Sequence, residues 1–275
     1  MPITPAVLAV VMAVGALSGC LGALLGLGGG VFLVPFLNVV LELPLNVSAG
    51  VGLMTVIATS SVVSAGSTGR ELVNLRLGML LLLASSGAGL IGALTVVHLP
   101  DRALFGVFAA VTATICAILL TRLDRRNVIL DETAYLGPLG GRFYEDESGR
   151  DVVYRTRRIP VALCVSAAAG YVSGLLGIGG GILQVPVLNA WCGVPLRVAA
   201  ATSAVMIGAT AVASAPLYYA RGNVSAPLAA AAVLGVLVGS RAGLWFGGRA
   251  RARWLKLLMA FVLGAVSLTY VLKLL

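Results

Sequence analysis

Two five-residue stretches, "GLGGG" at Gly26–Gly30 and "GIGGG" at Gly177–Gly181, each place four glycines in very apolar surroundings. A proline follows each run (Pro35 and Pro186), and an asparagine follows each proline (Asn38 and Asn189). Glycine has no Cβ, so such a run lets the backbone leave helical geometry and lets another chain or a solute approach bare peptide. A helix that restarts after the run begins with N–H groups lacking intrahelical partners, and those donors attract anions at the positive end of the helix dipole. Proline removes one hydrogen bond from that short helix and favours a kink. The chemistry on offer is capture of a small anion by backbone amides at Gly26, Gly28, Gly29 and Gly30, and at Gly177, Gly179, Gly180 and Gly181. The competing reading is tight helix packing, which small residues also serve in membranes.

Other polar residues lie in the same apolar surroundings. A buried amide is costly without partners, so Asn38 and Asn189 either tie broken backbone or line a path; both readings stand. Thr202 and Ser203 form a hydroxyl pair, and Thr55, Thr59, Ser60 and Ser61 form another group. Hydroxyls in membrane helices commonly bond their own backbone, so none is decisive alone. Arg241, in "VLVGSRAGLWFGG", is a charge within an apolar run and a functional candidate by default. It would suit an anion, yet it stands near the end of its run, where a long side chain can snorkel to the interface. Glu42 and the lone His98 fall near helix ends and make no convincing proton relay.

The elements that must position these residues are membrane helices. Of 275 residues, 59% are hydrophobic and 11% charged, and the mean hydropathy is +1.04, whereas a soluble domain carries roughly 25% charged residues. The first apolar run lacks a basic leader and is expected to be a retained helix, not a cleaved signal. The net charge of +9 is explained by loop arginines that set membrane orientation, not by nucleic acid. Four cysteines without CxxC spacing read as packing residues. A dinucleotide loop is rejected, because that fingerprint needs a strand and a soluble βαβ unit. Nothing calls for a cofactor or a metal.

A constant shift of 151 residues aligns the two halves without a gap, and 13 of the 27 positions from Gly19 to Leu45 are identical. Under the shift Thr202 and Ser203 face Val51 and Gly52, Gln184 faces Leu33, and Arg241 faces Leu90. Each half holds five apolar runs. The second of these, Val31–Leu43 and Ile182–Val194, has 13 residues, about 20 Å of helix against a hydrocarbon core of about 30 Å. It either crosses with its flanks or forms half of a re-entrant hairpin; the full length of Ala6–Leu25 favours crossing. Arginines at both ends of the central segment place it in the cytoplasm, and counting spans from there puts both termini outside. Basic residues then fall on the correct side only if the second half is upside down. The expected fold is an all-α polytopic membrane protein of two inverted repeats, about five transmembrane segments each. Residues 1–121 form repeat one and 159–275 repeat two. Residues 122–158 form a solvated cytoplasmic linker, with a short β-hairpin in "RFYEDESGRDVVYR" around Ser148 and Gly149.

The doubled G-x-G-G-G run with its following proline resembles the sulfite exporter TauE/SafE family of membrane permeases, over both repeats. The resemblance implies carriage of a small sulfur-containing anion, such as sulfite or an organosulfonate, across the bacterial inner membrane. A Thr-Ser pair after the second proline loop fits at Thr202 and Ser203; Val51 and Gly52 depart from it in the first half. Paired interrupted helices in two inverted halves are the sequence pointer to a transporter site. The expected partners are the small anion and membrane lipid, with homo-oligomerisation left open. An anion channel, or a permease for another small organic anion, is the alternative. An intramembrane enzyme is disfavoured, since the single histidine has no obvious partner nucleophile.

Overall fold

The computed structural model describes residues 4–68, 72–121, 139–145, 150–247 and 252–274. In the first half, helices α1 (Pro5–Leu25), α2 (Gly30–Pro35), α3 (Leu45–Thr68), α4 (Leu75–Thr95) and α5 (Asp101–Thr121) follow in order. A hairpin of strands β1 (Gly141–Glu145) and β2 (Arg150–Tyr154) comes next. Helices α6 (Ile159–Leu176), α7 (Gly181–Ala190), α8 (Leu196–Ala220), α9 (Ala226–Gly247) and α10 (Ala252–Leu274) complete the chain. Among the described residues, α1, α3, α4, α6, α8 and α9 are long and apolar enough to cross a membrane. Leu17, Leu83 and Val238 lie exposed on their outer faces, a distribution that suits lipid and would be a liability in water. The chain is an all-α polytopic membrane protein.

Glycine lets these helices approach closely. A Cβ on Gly15 would meet the Ala232 carbonyl oxygen at 2.7 Å, and one on Gly19 would meet the Val236 α-carbon at 2.8 Å, so α1 lies directly on α9. Likewise Gly170 lies against Ser85 and Gly174 against Gly89, joining α6 of the second half to α4 of the first. These contacts repeat under the sequence shift: Gly19 with Val236 becomes Gly170 with Ser85, and Cys20 with Gly243 becomes Tyr171 with Gly92. Helices α5 and α10 pair through Phe108 and Tyr270, whose rings stack at 4.3 Å, and through the Ser267 hydroxyl, which donates to the Ala109 carbonyl at 3.1 Å.

At the glycine run the chain reverses, as it would in either arrangement of the short apolar runs. Gly22 on α1 lies against Gly28 and Gly29, while Val11, farther back on α1, shares a cluster with Leu33 and Leu37. The short helix therefore runs back along α1.

Pro35 has no N–H to give the fourth residue back, and beyond it the helix widens into a π-turn over Phe36–Val40. The Leu41 N–H donates to the Phe36 carbonyl at 3.3 Å and the Leu43 N–H to the Leu37 carbonyl at 3.1 Å. Beyond Pro186 the equivalent bonds join Cys192 to Val187 and Val194 to Leu188.

The β-hairpin pairs antiparallel, with Phe143 opposite Val152 and Gly141 opposite Tyr154. Phe143 and Tyr154 are buried, so the hairpin is docked rather than free.

Candidate functional site

Each glycine run begins as a helix stop. Gly26 and Gly177 take left-handed φ angles of 68° and 67° and cap α1 and α6, their N–H groups donating to the Gly22 and Ser173 carbonyls. A side chain is disfavoured there twice over, because a Cβ would strain this backbone and would also strike the backbone of Ala200 or Ala49 across the repeat boundary. Two residues on, Gly28 and Gly179 again have positive φ, 82° and 80°. Gly29 and Gly180 return to helical angles and open α2 and α7.

The two turns meet. A Cβ on Gly30 would stand 2.7 Å from the Gly177 carbonyl oxygen, and one on Gly181 would strike the Gly26 carbonyl. Val56 of α3 and Ile207 of α8 both lie at Gly28, and Val56 lies at Gly179 as well. All ten residues, Gly26–Gly30 and Gly177–Gly181, are buried. The structure thus brings together the glycines singled out in the sequence, in a closed, close-packed arrangement where both the ligand reading and the packing reading have a physical basis.

The polar candidates separate by what they touch. The Asn38 side-chain amide donates to the Leu43 carbonyl at 2.9 Å, and that of Asn189 donates to the Val194 carbonyl at 2.9 Å. Each clasps the chain reversal that leads into α3 or α8, beside Pro35 and Pro186. The Ser203 hydroxyl donates to the Gly26 carbonyl at 3.1 Å, from the second repeat to the turn of the first. Thr55, Thr59 and Ser61 bond carbonyls of their own helix, whereas Ser60 crosses to the Ala204 carbonyl. Arg241 is exposed on α9, so its side chain is not part of the glycine cluster.

Thr202 reaches in another direction. Its hydroxyl oxygen accepts the Asn74 N–H at 3.0 Å. The Asn74 side chain caps α4 by accepting the Leu77 N–H at 3.1 Å, and its amide donates to the Tyr154 hydroxyl and the Leu139 carbonyl, both at 2.9 Å. A chain of contacts therefore runs from the β-hairpin through Asn74 to Thr202, next to Ser203 and the first glycine turn. Burial pushes the Tyr154 phenol above its ordinary range, opposed by its hydrogen bond to Asn74. On the same surface the Arg157 N–H donates to the Cys192 carbonyl at 2.8 Å. Burial raises the Cys192 thiol to about 11, against the pull of the Arg158 guanidinium.

Asn74 and Tyr154 carried no signal in the sequence, being 80 residues apart. The role of Thr59 was not visible either: the Gly29 N–H donates to its hydroxyl oxygen at 3.2 Å. Among the described residues the buried polar side chains are those of serine, threonine, asparagine, glutamine and tyrosine. The interior offers neutral donors and acceptors and no ionised group.

These features define a class: a polytopic membrane transporter protein with paired broken helices at its centre. The chain belongs to the sulfite exporter TauE/SafE family, whose profile matches residues 11–270. It is similar to the probable membrane transporter protein YunE of Bacillus subtilis, 26% identical over 261 residues that cover 92% of this chain and 93% of the relative. It is also similar to a probable membrane transporter protein of Methanocaldococcus jannaschii, 26% identical over 277 residues, 93% of this chain and 92% of the relative. No solved structure matches the chain.

Proposed function

We propose that this protein carries a small sulfur-containing anion, such as sulfite or an organosulfonate, outward across the bacterial inner membrane by alternating access. The observation that carries the reading is the contact between the two glycine turns, Gly30 against Gly177 and Gly181 against Gly26. A carrier needs a seam that can part on either side of one central site, and bare backbone at such a seam can receive an anion once side chains move aside. The family description, sulfite exporter, supports the substrate and the direction.

Inversion of the halves is part of the proposal. Its support is the crossing of the equivalent helices α3 and α8: Val63 groups with Ala204, Ser60 meets Gly208, and Val56 and Ile207 meet at Gly28. From Val63 to Ser60 the partner on α8 moves forward from Ala204 to Gly208, the order that inverted halves would give. Rocking of one half against the other then exposes the seam alternately to the two sides, with the central segment in the cytoplasm and both termini outside. An inside-negative potential favours efflux of a monoanion by about 2.3 kcal/mol per 100 mV, so no proton relay is required.

The purified full chain in proteoliposomes tests this. Saturable efflux of sulfite or methanesulfonate, accelerated by the same anion on the opposite side, is the expected result. Absence of flux for every sulfur oxyanion, or unitary currents in place of exchange, would overturn it.

A further inference from the structure

We propose that the anion seat is asymmetric: it lies at the second glycine turn, and Ser173 and Gln184 are its side-chain ligands. The inference rests on the anion-carrier reading and names the residues that would hold the anion.

The two turns share a backbone but differ in how their polar groups are satisfied. In the first, the Thr59 hydroxyl oxygen accepts the Gly29 N–H at 3.2 Å. The equivalents are Thr210 and Gly180, and among the described residues no bond joins them. Thr210 turns to Ser85 instead, at 3.1 Å, and to the Met206 carbonyl at 2.9 Å. The first turn is capped internally, and the second keeps its leading amide for another acceptor.

The side chains flanking the second turn point the same way. Gln184 is 1% exposed, and neither its amide nitrogen nor its amide oxygen has a hydrogen-bond partner. Ser173 is 0% exposed, and its hydroxyl is equally unpartnered. Buried polar atoms are nearly always bonded, so two orphans on the two helices that bracket one turn call for a ligand. Gln184 sits on the first turn of α7, a helix of 10 residues, and a helical side chain of this length lies back over the turn before its own Cα. That direction leads to Gly180 and Gly181. Ser173 stands where Gly22 stands in the first half, and a Cβ on Gly22 would lie 2.8 Å from the Gly29 nitrogen. Ser173 holds the corresponding place on α6, so its hydroxyl stands on the stretch of helix that leads into the second turn.

The counterparts of Ser173 and Gln184 are Gly22 and Leu33, so the first half offers no side-chain ligand at these places. The second turn supplies a hydroxyl, a carboxamide and free amides, all neutral. Such a set suits a compact monoanionic oxyanion. A dianion is less favoured, because the cost of leaving water grows with the square of the charge and no buried cation offsets it.

The test uses the full chain in lipid nanodiscs, titrated with methanesulfonate and separately with sulfate, with calorimetry for affinity and thermal unfolding for stability. The wild type is expected to bind methanesulfonate in preference to sulfate. Gln184→Leu and Ser173→Ala are each expected to weaken methanesulfonate binding by roughly tenfold, the loss of one hydrogen bond to a charged group. Without ligand, Gln184→Leu should unfold at or above the wild-type temperature, because an unpartnered buried amide has been removed; a structural glutamine would give the opposite. Affinities of both variants within about twofold of wild type, or a ligand-free Gln184→Leu that unfolds earlier, would overturn the asymmetric seat while leaving the carrier reading intact. A folded wild type that binds neither anion would overturn the carrier reading, and the seat with it.

Discussion

Ser203 of α8 donates its hydroxyl proton to the carbonyl of Gly26 at 3.1 Å, whereas its counterpart Gly52 presents a bare α-carbon to the carbonyl of Gly177. The seam between the halves is therefore bonded at one end and merely touching at the other. If the halves part during transport, the bonded end must break a hydrogen bond that the other end lacks. Ser203→Ala should lower stability by about 1 kcal/mol, the usual worth of such a bond in a membrane interior. Thermal unfolding in nanodiscs measures this, and an unchanged unfolding temperature would mean that the bond contributes nothing.

Gly177→Ala and Gly28→Ala separate backbone strain from crowding. Both positions have positive φ, 67° and 82°, and each substitution therefore carries about 1–2 kcal/mol of left-handed strain. At Gly28 the new methyl would meet only the side-chain ends of Ile207 and Val56, at 3.2 and 3.4 Å, which can shift. At Gly177 it would run into the backbone of Ala49, adding an overpacking cost of about 1–3 kcal/mol. Gly177→Ala should consequently be recovered in much lower yield than Gly28→Ala. Size-exclusion profiles of the two proteins would expose the difference, and equal yields would contradict the close packing of Gly177 on Ala49 of α3.

Much of this arrangement was legible in the sequence because it is encoded by identity. Gly26, Gly28, Gly29, Gly30, Pro35 and Asn38 recur unchanged one shift later, so the doubled element and its all-α setting could be read directly. The π-turn over Phe36–Val40 could not. Hydropathy reports how long a run is and says nothing of the hydrogen-bond spacing it takes after a proline. Ser173 escaped notice for the opposite reason: its counterpart is glycine, and a search for identities passes over the places where the halves differ. Gln184 stood out because its partner position is apolar. Arg241 drew attention as a charge inside an apolar run, but in a helix that is apolar all round the sequence does not say which face meets the core.

The docking of the β-hairpin yields a prediction about alkaline pH. Tyr154 is buried against Asn74, and burial raises its phenol above the ordinary value of 10.0, with the hydrogen bond from Asn74 opposing. Below the ordinary value the phenol is neutral in both folded and unfolded chains, and its contribution is fully present. Between the ordinary and the raised value the unfolded chain loses the proton first, so stability falls as pH rises through that window. Hydrogen exchange across residues 150–154 should be flat through neutral pH, after correction for intrinsic rates, and accelerate only above pH 10. Tyr154→Phe should remove that alkaline step and cost about 1 kcal/mol at neutral pH for the lost bond. An alkaline step that persists in Tyr154→Phe would point to another group.

Glu42 should be replaceable by glycine with a gain. It has φ of 53°, in the left-handed region, in the short connection between the π-turn and α3, and its side chain is exposed. The equivalent residue in the second half is Gly193, with φ of 75°, so the fold itself shows which residue suits this backbone. Relief of left-handed strain is worth about 1–2 kcal/mol. Against it stands the greater freedom of glycine in the unfolded chain, about 0.4–1 kcal/mol. The strain term is the larger, and Glu42→Gly should be stabilised by about 0.5–1 kcal/mol, with anion flux in proteoliposomes unchanged because the side chain lies away from the glycine turns. A lower unfolding temperature would show that the exposed carboxylate makes a contribution greater than the strain it imposes.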